Sequence, residues 1–180
     1  TVTTALQPFT SYLILSNVAE FKYCWVWEKS KATGYLNSRK QPMRAHEDIV
    51  VFYNQQCVYN PQKLQGKPYY RGIVKHNEEQ YGEQVTTTVL NEDGLRFPRS
   101  VIYFTTAEFE GKHHPTQKPT ALFEYLIKTY TNEGDLVLDP CYGSATTAIA
   151  CLNTNRRFIG FEKEEKFYDN AILRLIKSQK

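Results

Sequence analysis

The stretch that most constrains this chain is Leu136-Val137-Leu138-Asp139, a short apolar run ending on a carboxylate. It is followed by Pro140-Cys141-Tyr142-Gly143-Ser144 and by a helical pattern from about Ala145 to Leu152. A second apolar run, Phe158 to Phe161, ends at Glu162. A last helix then places Phe167, Ala171 and Leu175 on one face beside Tyr168, Ile172 and Ile176. Two short strands joined through a helix pair in parallel, because the crossover returns the chain to the same end of the sheet. Upstream, Pro119-Thr120 opens another helix, with Leu122, Tyr125, Leu126 and Thr129 on one face and Asn132-Glu133-Gly134 at its end. This succession predicts an α/β fold with a mostly parallel sheet.

In such a fold, a strand running into Asp139, then a turn and then a helix sets a carboxylate and backbone N–H groups at the carboxyl edge of the sheet, where ligands bind. Gly143 allows a sharp turn and close approach of the backbone, and the small residues Ser144 and Ala145 leave room beside it. About 20 residues on, Glu162 ends the neighbouring strand, from which a carboxylate can accept both ribose hydroxyls. Either feature alone is also explained by an ordinary strand-to-helix turn or an exposed glutamate; together they point to a nucleoside.

The first third holds two expected core strands, Phe21 to Trp27 and Asp48 to Tyr53. Trp25, Trp27 and Tyr53 lie within these runs and are expected in the core. Between them, Lys29 to His46 carries Lys29, Lys31, Arg39, Lys40 and Arg44 and no acid, and reads as an exposed basic loop. Those cations could neutralise phosphates, although a solvated loop accounts for them nearly as well. Tyr59 to about Gly111 is polar and punctuated by Gly and Pro, with β-prone pieces at Gln84 to Leu90 and Ser100 to Thr105, and reads as an insert on a scaffold. Arg71, Arg96 and Arg99 within it are candidates for guanine contacts, since a guanidinium pairs with that base in bidentate fashion.

Several classes are disfavoured. The four cysteines form no Cys-x-x-Cys unit, so neither a zinc site nor a disulfide framework is expected, and no metal is assigned. No apolar run approaches the roughly 20 residues of a membrane span, which makes a cytoplasmic protein without membrane association the expectation. The formal net charge of +3 is too small to identify a polyanionic partner by itself. A nucleotide-dependent oxidoreductase fits the α/β pattern, but the chain lacks a Gly-x-Gly-x-x-Gly turn, and that reading leaves the basic cluster unexplained. The length suits a single domain with one core.

The string His114-Pro115-Thr116-Gln117-Lys118-Pro119, a helix, then Leu138-Asp139-Pro140-Cys141-Tyr142-Gly143-Ser144-Ala145-Thr146-Thr147 resembles the amino-methylating DNA methyltransferases of permuted arrangement, with catalytic half, recognition region and cofactor half in that order. Gln7-Pro8-Phe9-Thr10, the Phe-Lys-Tyr-x-Trp strand, the basic loop and His46-Glu47-Asp48-Ile49-Val50-Val51-Phe52 extend the likeness over most of the chain. The resemblance implies a Rossmann-like methyltransferase sheet with a recognition insert. Residues 1–58 would be the latter part of the catalytic half, 59–111 the target-recognition insert and 112–180 the cofactor half. It further implies that S-adenosylmethionine lies between His114, Thr116, Lys118 and Pro119 on one side and Asp139, Cys141, Gly143, Ser144, Ala145 and Thr146 on the other, with Glu162 on the ribose. Double-stranded DNA is the implied partner, in a bacterial or phage restriction-modification setting, and a homodimer stays open. The family turn usually has a second glycine where this chain has Ala145.

Catalysis in that family uses an Asp, Asn or Ser followed by Pro, Pro and an aromatic, which accepts hydrogen bonds from the target amine and stacks on a flipped base. No such tetrapeptide occurs in these 180 residues. Asp139-Pro140-Cys141-Tyr142 comes nearest, but the Gly-Ser-Ala-Thr-Thr continuation and Glu162 assign it to the cofactor loop. The chain also starts without an initiator Met, and the permuted arrangement that it resembles implies that the catalytic element lies upstream of Thr1. Two readings follow: an enzyme acting on adenine N6, preferred, or cytosine N4; or a non-catalytic DNA-binding remnant of one.

Overall fold

The computed structural model describes residues 1–74, 87–111 and 114–178. The expected strand at Gln84 to Leu90 therefore lies partly outside the described residues. They form two compact units, one of residues 1–60 with 99–180 and one of residues 61–98.

The larger unit is built on a four-stranded sheet in the order β1-β3-β2-β8, with β1 at Val2–Ala5, β2 at Phe21–Thr33, β3 at Arg44–Phe52 and β8 at Val101–Phe104. β3 pairs antiparallel with both β1 and β2, while β8 runs parallel to β2. A separate parallel pair joins β9 (Leu136–Asp139) to β10 (Arg157–Gly160) across α3 (Thr146–Asn153). The parallel βαβ unit is thus present, but a mostly parallel sheet is not: the chain returns from β2 to β3 through a short connection, which only antiparallel strands allow. Mixed α/β content is what the structure shows.

Ile49, Val50, Val51 and Phe52 are all buried because β3 is covered on both faces. On one side Trp25, Trp27, Ile49 and Val51 pack against Leu122 and Leu126 of α2 (Thr120–Tyr130). On the other, Val50, Phe52 and Ala5 meet Leu13 and Ile14 of α1 (Phe9–Ser16). The two tryptophans are core residues, as their strand context suggested. The Trp25 indole donates to the Tyr130 hydroxyl at 2.6 Å, which satisfies the buried N–H.

α2 also faces the parallel pair: its Ile127 and Phe123 meet Ala150 and Cys151 of α3, with Val137 and Phe158 below. The last helix, α4 (Glu165–Ser178), buries Ala171 and Arg174 and leaves Ile172, Leu173 and Ile176 exposed, so only one of the two expected apolar edges is covered. Leu136, Leu138, Ile159 and Phe161 are likewise exposed on one face of β9 and β10.

The smaller unit contains two antiparallel pairs, β4 (Leu64–Gln65) with β7 (Leu95–Arg96), and β5 (Tyr69–Val74) with β6 (Thr87–Asn91). No helix among the described residues is long and apolar enough to cross a membrane.

Candidate functional site

The turn after β9 is held from within. Asp139 Oδ1 accepts the Cys141 N–H at 3.0 Å, and its other oxygen accepts the Thr147 hydroxyl, so this carboxylate shapes the turn and joins it to the first turn of α3. Gly143 has φ +51 and Ala145 φ 59, two left-handed residues within three positions. For Ala145 that conformation costs roughly 1–2 kcal/mol. Its methyl is fully buried against Tyr142, Ala148 and Ala171, which offsets part of that cost.

Glu162 stands beside this turn. Its Oε2 accepts the Gly143 N–H at 3.0 Å and its Oε1 accepts the Glu164 N–H at 2.9 Å. An ionised carboxylate has about four acceptor positions, so one on each oxygen is left for a further donor. The glycine turn and the carboxylate, read from sequence as two halves of one site, are in direct contact.

The 114–119 segment forms an adjoining wall. A Cβ built on Gly143 would meet the His114 ring at 3.4 Å, and that ring sits edge-on to Phe167 with centroids 4.3 Å apart. His114 Nδ1 accepts the Thr116 N–H at 3.2 Å. Lys118 reaches the other way: its ammonium donates to Glu47 Oε2 at 2.6 Å and lies 5.9 Å from the Trp27 ring, while its carbonyl accepts the Thr146 hydroxyl at 3.1 Å. Pro119 is fully buried at the entry to α2.

The named residues therefore differ in accessibility. Cys141 and Thr116 are exposed, and His114, Lys118, Asp139 and Glu162 are half-buried. Gly143, Ser144, Ala145 and Thr146 are buried and contribute mainly backbone. Burial, followed by the nearby Asp139 and Glu162 carboxylates, pushes the Cys141 thiol above its ordinary range.

Several predicted cations are placed otherwise than expected. Lys29 is not on an exposed loop. It lies in β2 with its side chain 4% exposed, and it donates to Glu47 Oε1 at 3.4 Å because its position in the strand turns it toward the buried side. Lys31, in the same strand, is exposed and pairs with Glu108 at 3.2 Å. Arg39 and Lys40 lie in the turn beyond Tyr35–Asn37 and Arg44 starts β3. All three are exposed and in no ion pair among the described residues. In the smaller unit Arg71 is exposed over the Tyr69 ring, whereas Arg96 donates to the Lys67 carbonyl at 3.1 Å and fills the space beside Gly66. Arg99 is exposed.

Sequence reasoning missed three groups at the site: Glu47, Glu110 and Arg174. Glu47 bridges two lysines, and Glu110 caps α2 by accepting the Thr120 N–H at 2.8 Å and its hydroxyl at 2.6 Å. Arg174 was legible as a cation three residues beyond Ala171 on the buried face of an amphipathic helix.

The chain is similar to known DNA methyltransferases. The chain is 31% identical over 179 residues to the type II methyltransferase M.HindIII of Haemophilus influenzae, an alignment covering 86% of this chain and 55% of that protein. A 64-residue stretch is 47% identical to the type II methyltransferase M.HpaI of Haemophilus parainfluenzae, covering 36% of this chain and 20% of that protein. Among solved structures, the M1.HpyAVI–SAM complex superposes with a TM-score of 0.66 at 28% identity, covering 97% of this chain and 72% of that one. The cytosine-N4-specific PvuII DNA methyltransferase shares the fold, with a TM-score of 0.63 at 16% identity over 96% of this chain and 62% of that one. The chain thus spans about half the length of M.HindIII. Residues 11–173 match the DNA methylase family of N6 and N4 type, and the chain belongs to that family.

Proposed function

We propose that this chain is the cofactor-binding and DNA-contacting part of a DNA methyltransferase that moves a methyl group from S-adenosylmethionine to an exocyclic base amine, with adenine N6 preferred to cytosine N4. The observation that carries this reading is the 3.0 Å contact between Glu162 and the Gly143 N–H, which puts a carboxylate with spare acceptor positions beside the glycine of the turn. The spare acceptor positions of Glu162 suit the hydroxyls of a nucleoside lying beside the turn. His114 and Thr116 would flank it, and Cys141 would border its exposed side. Pro119, Ser144, Ala145 and Thr146 would support it through backbone and packing, and Lys118 through its tie to Glu47. When bound, S-adenosylmethionine supplies an electrophilic methyl group on a sulfonium.

The target amine is a weak nucleophile because its lone pair is delocalised into the ring, so the complete enzyme must accept its N–H bonds and align it with the methyl group. We assign that task to polypeptide outside these residues. Residues 1–58 would belong to the catalytic half and 59–111 to target recognition, with 112–180 holding the cofactor. Arg39, Lys40 and Arg44 would contact phosphates of double-stranded DNA, and Arg71 and Arg99 remain candidates for base contacts. A restriction-modification role in the cytoplasm follows from this reading.

The test is transfer of labelled methyl from S-adenosylmethionine to duplex DNA by the full-length protein. Transfer to adenine that is abolished by Gly143→Asp supports the proposal. Saturable DNA binding with no transfer supports a non-catalytic remnant instead.

A further inference from the structure

Arg174 of α4 is the most buried arginine contact in the larger unit, and nothing in the proposed chemistry uses it. Its residue is 9% exposed. One guanidinium nitrogen donates to the Ser144 carbonyl at 2.8 Å and to Thr146 Oγ1 at 3.1 Å, and the other to Glu110 Oε2 at 2.9 Å and Thr120 Oγ1 at 3.4 Å. The fork thus grips both sides of the left-handed Ala145 while anchoring on the carboxylate that caps α2. Burial lowers the affinity of Arg174 for its proton and Glu110 opposes that, so the ion pair keeps a desolvated cation in place.

The conformation at 143–145 is the one that aims the Gly143 N–H at Glu162, and at Ala145 it carries a steric cost a glycine would not. A charge-assisted hydrogen bond to the carbonyl immediately before Ala145 is the contact that opposes relaxation of that peptide. We infer that Arg174 is a positioning residue for the cofactor turn: from the last helix it holds the Ser144 carbonyl, so that Ala145 stays left-handed and the turn is preformed for S-adenosylmethionine. This rests on the proposed cofactor site, but the clamp itself can be read without ligand.

The experiment is hydrogen exchange at the amides of residues 143–147 in the whole protein, without and with S-adenosylmethionine, alongside equilibrium dialysis of that ligand. Arg174→Met should speed exchange at these amides by roughly tenfold and raise the dissociation constant by a similar factor. Arg174→Lys, which can reach Ser144 with a single ammonium, should recover part of both. Lys177→Ala, on the same helix, should change neither. If Arg174→Met does not fold, Arg174→Lys alone carries the test. Unchanged exchange at the turn in a folded variant overturns the clamp, as does a conservative variant no better than Arg174→Met. Faster exchange in a protein that binds no S-adenosylmethionine at all keeps the clamp and removes the cofactor reading.

Discussion

Replacing Glu47 by leucine tests how the two halves of the larger unit are held together. Glu47 is in ion pairs with both Lys29 and Lys118, at 3.4 and 2.6 Å, and the three side chains are 10%, 4% and 24% exposed respectively. Removing it leaves the Lys29 ammonium buried without an anion, while Lys118 can move toward solvent. Breaking a buried pair from one side costs about 3–5 kcal/mol, whereas replacing both partners by apolar groups can be nearly neutral. For a chain of this size, where 1 kcal/mol moves the melting temperature by about 2–4 °C, Glu47→Leu should lower it by roughly 10 °C. The double variant Lys29→Met with Glu47→Leu should regain at least half of that loss. Urea denaturation of wild type, both single variants and the double variant gives the coupling energy directly. A Glu47→Leu cost below about 1 kcal/mol, the value of an exposed pair, or a double variant no more stable than Glu47→Leu, would refute the reasoning.

Other outcomes follow from individual contacts. Tyr130→Phe strands the Trp25 indole N–H, whose partner is at 2.6 Å, and should cost about 1–3 kcal/mol in denaturant unfolding. Burial pushes the Cys151 thiol up to about 11 from 9.0, so the folded chain keeps a proton that the unfolded chain loses first. The stabilisation is complete below pH 9 and disappears as the pH rises to about 11. Cys151→Ala should therefore flatten the pH-stability curve by on the order of 2–3 kcal/mol in that window. Replacing Arg39, Lys40 and Arg44 together by alanine should weaken duplex binding at every sequence and reduce the slope of log affinity against log salt by about 2–3, whereas unchanged slopes would take these residues off the phosphates.

How much of this was legible depended on whether a signal is local. The strand into Asp139, the turn at Gly143 and the strand ending before Glu162 were readable because each is set by a few adjacent residues and the 3.6-residue period of the helix between them. Strand direction in the first third was not. Apolar runs such as Phe21 to Trp27 and Ile49 to Phe52 look alike whether they pair parallel or antiparallel, and only the short return at Gly34 to Met43 decides. Lys29 misled for a related reason: charge predicts exposure unless a counter-ion is buried nearby, and Glu47 is distant in sequence. Glu110 escaped because tertiary packing alone brings it to the start of α2, and Arg174, whose place on the buried face of α4 was readable, hid its distant partner Ser144.

The most direct test is calorimetric titration of S-adenosylmethionine into the wild-type protein and into Glu162→Ala. The account predicts one saturable site in the wild type and at least tenfold weaker binding in the variant, the loss expected when a charged acceptor for hydroxyl donors is removed. Equal affinity in the two proteins, or no binding to the wild type, would contradict it.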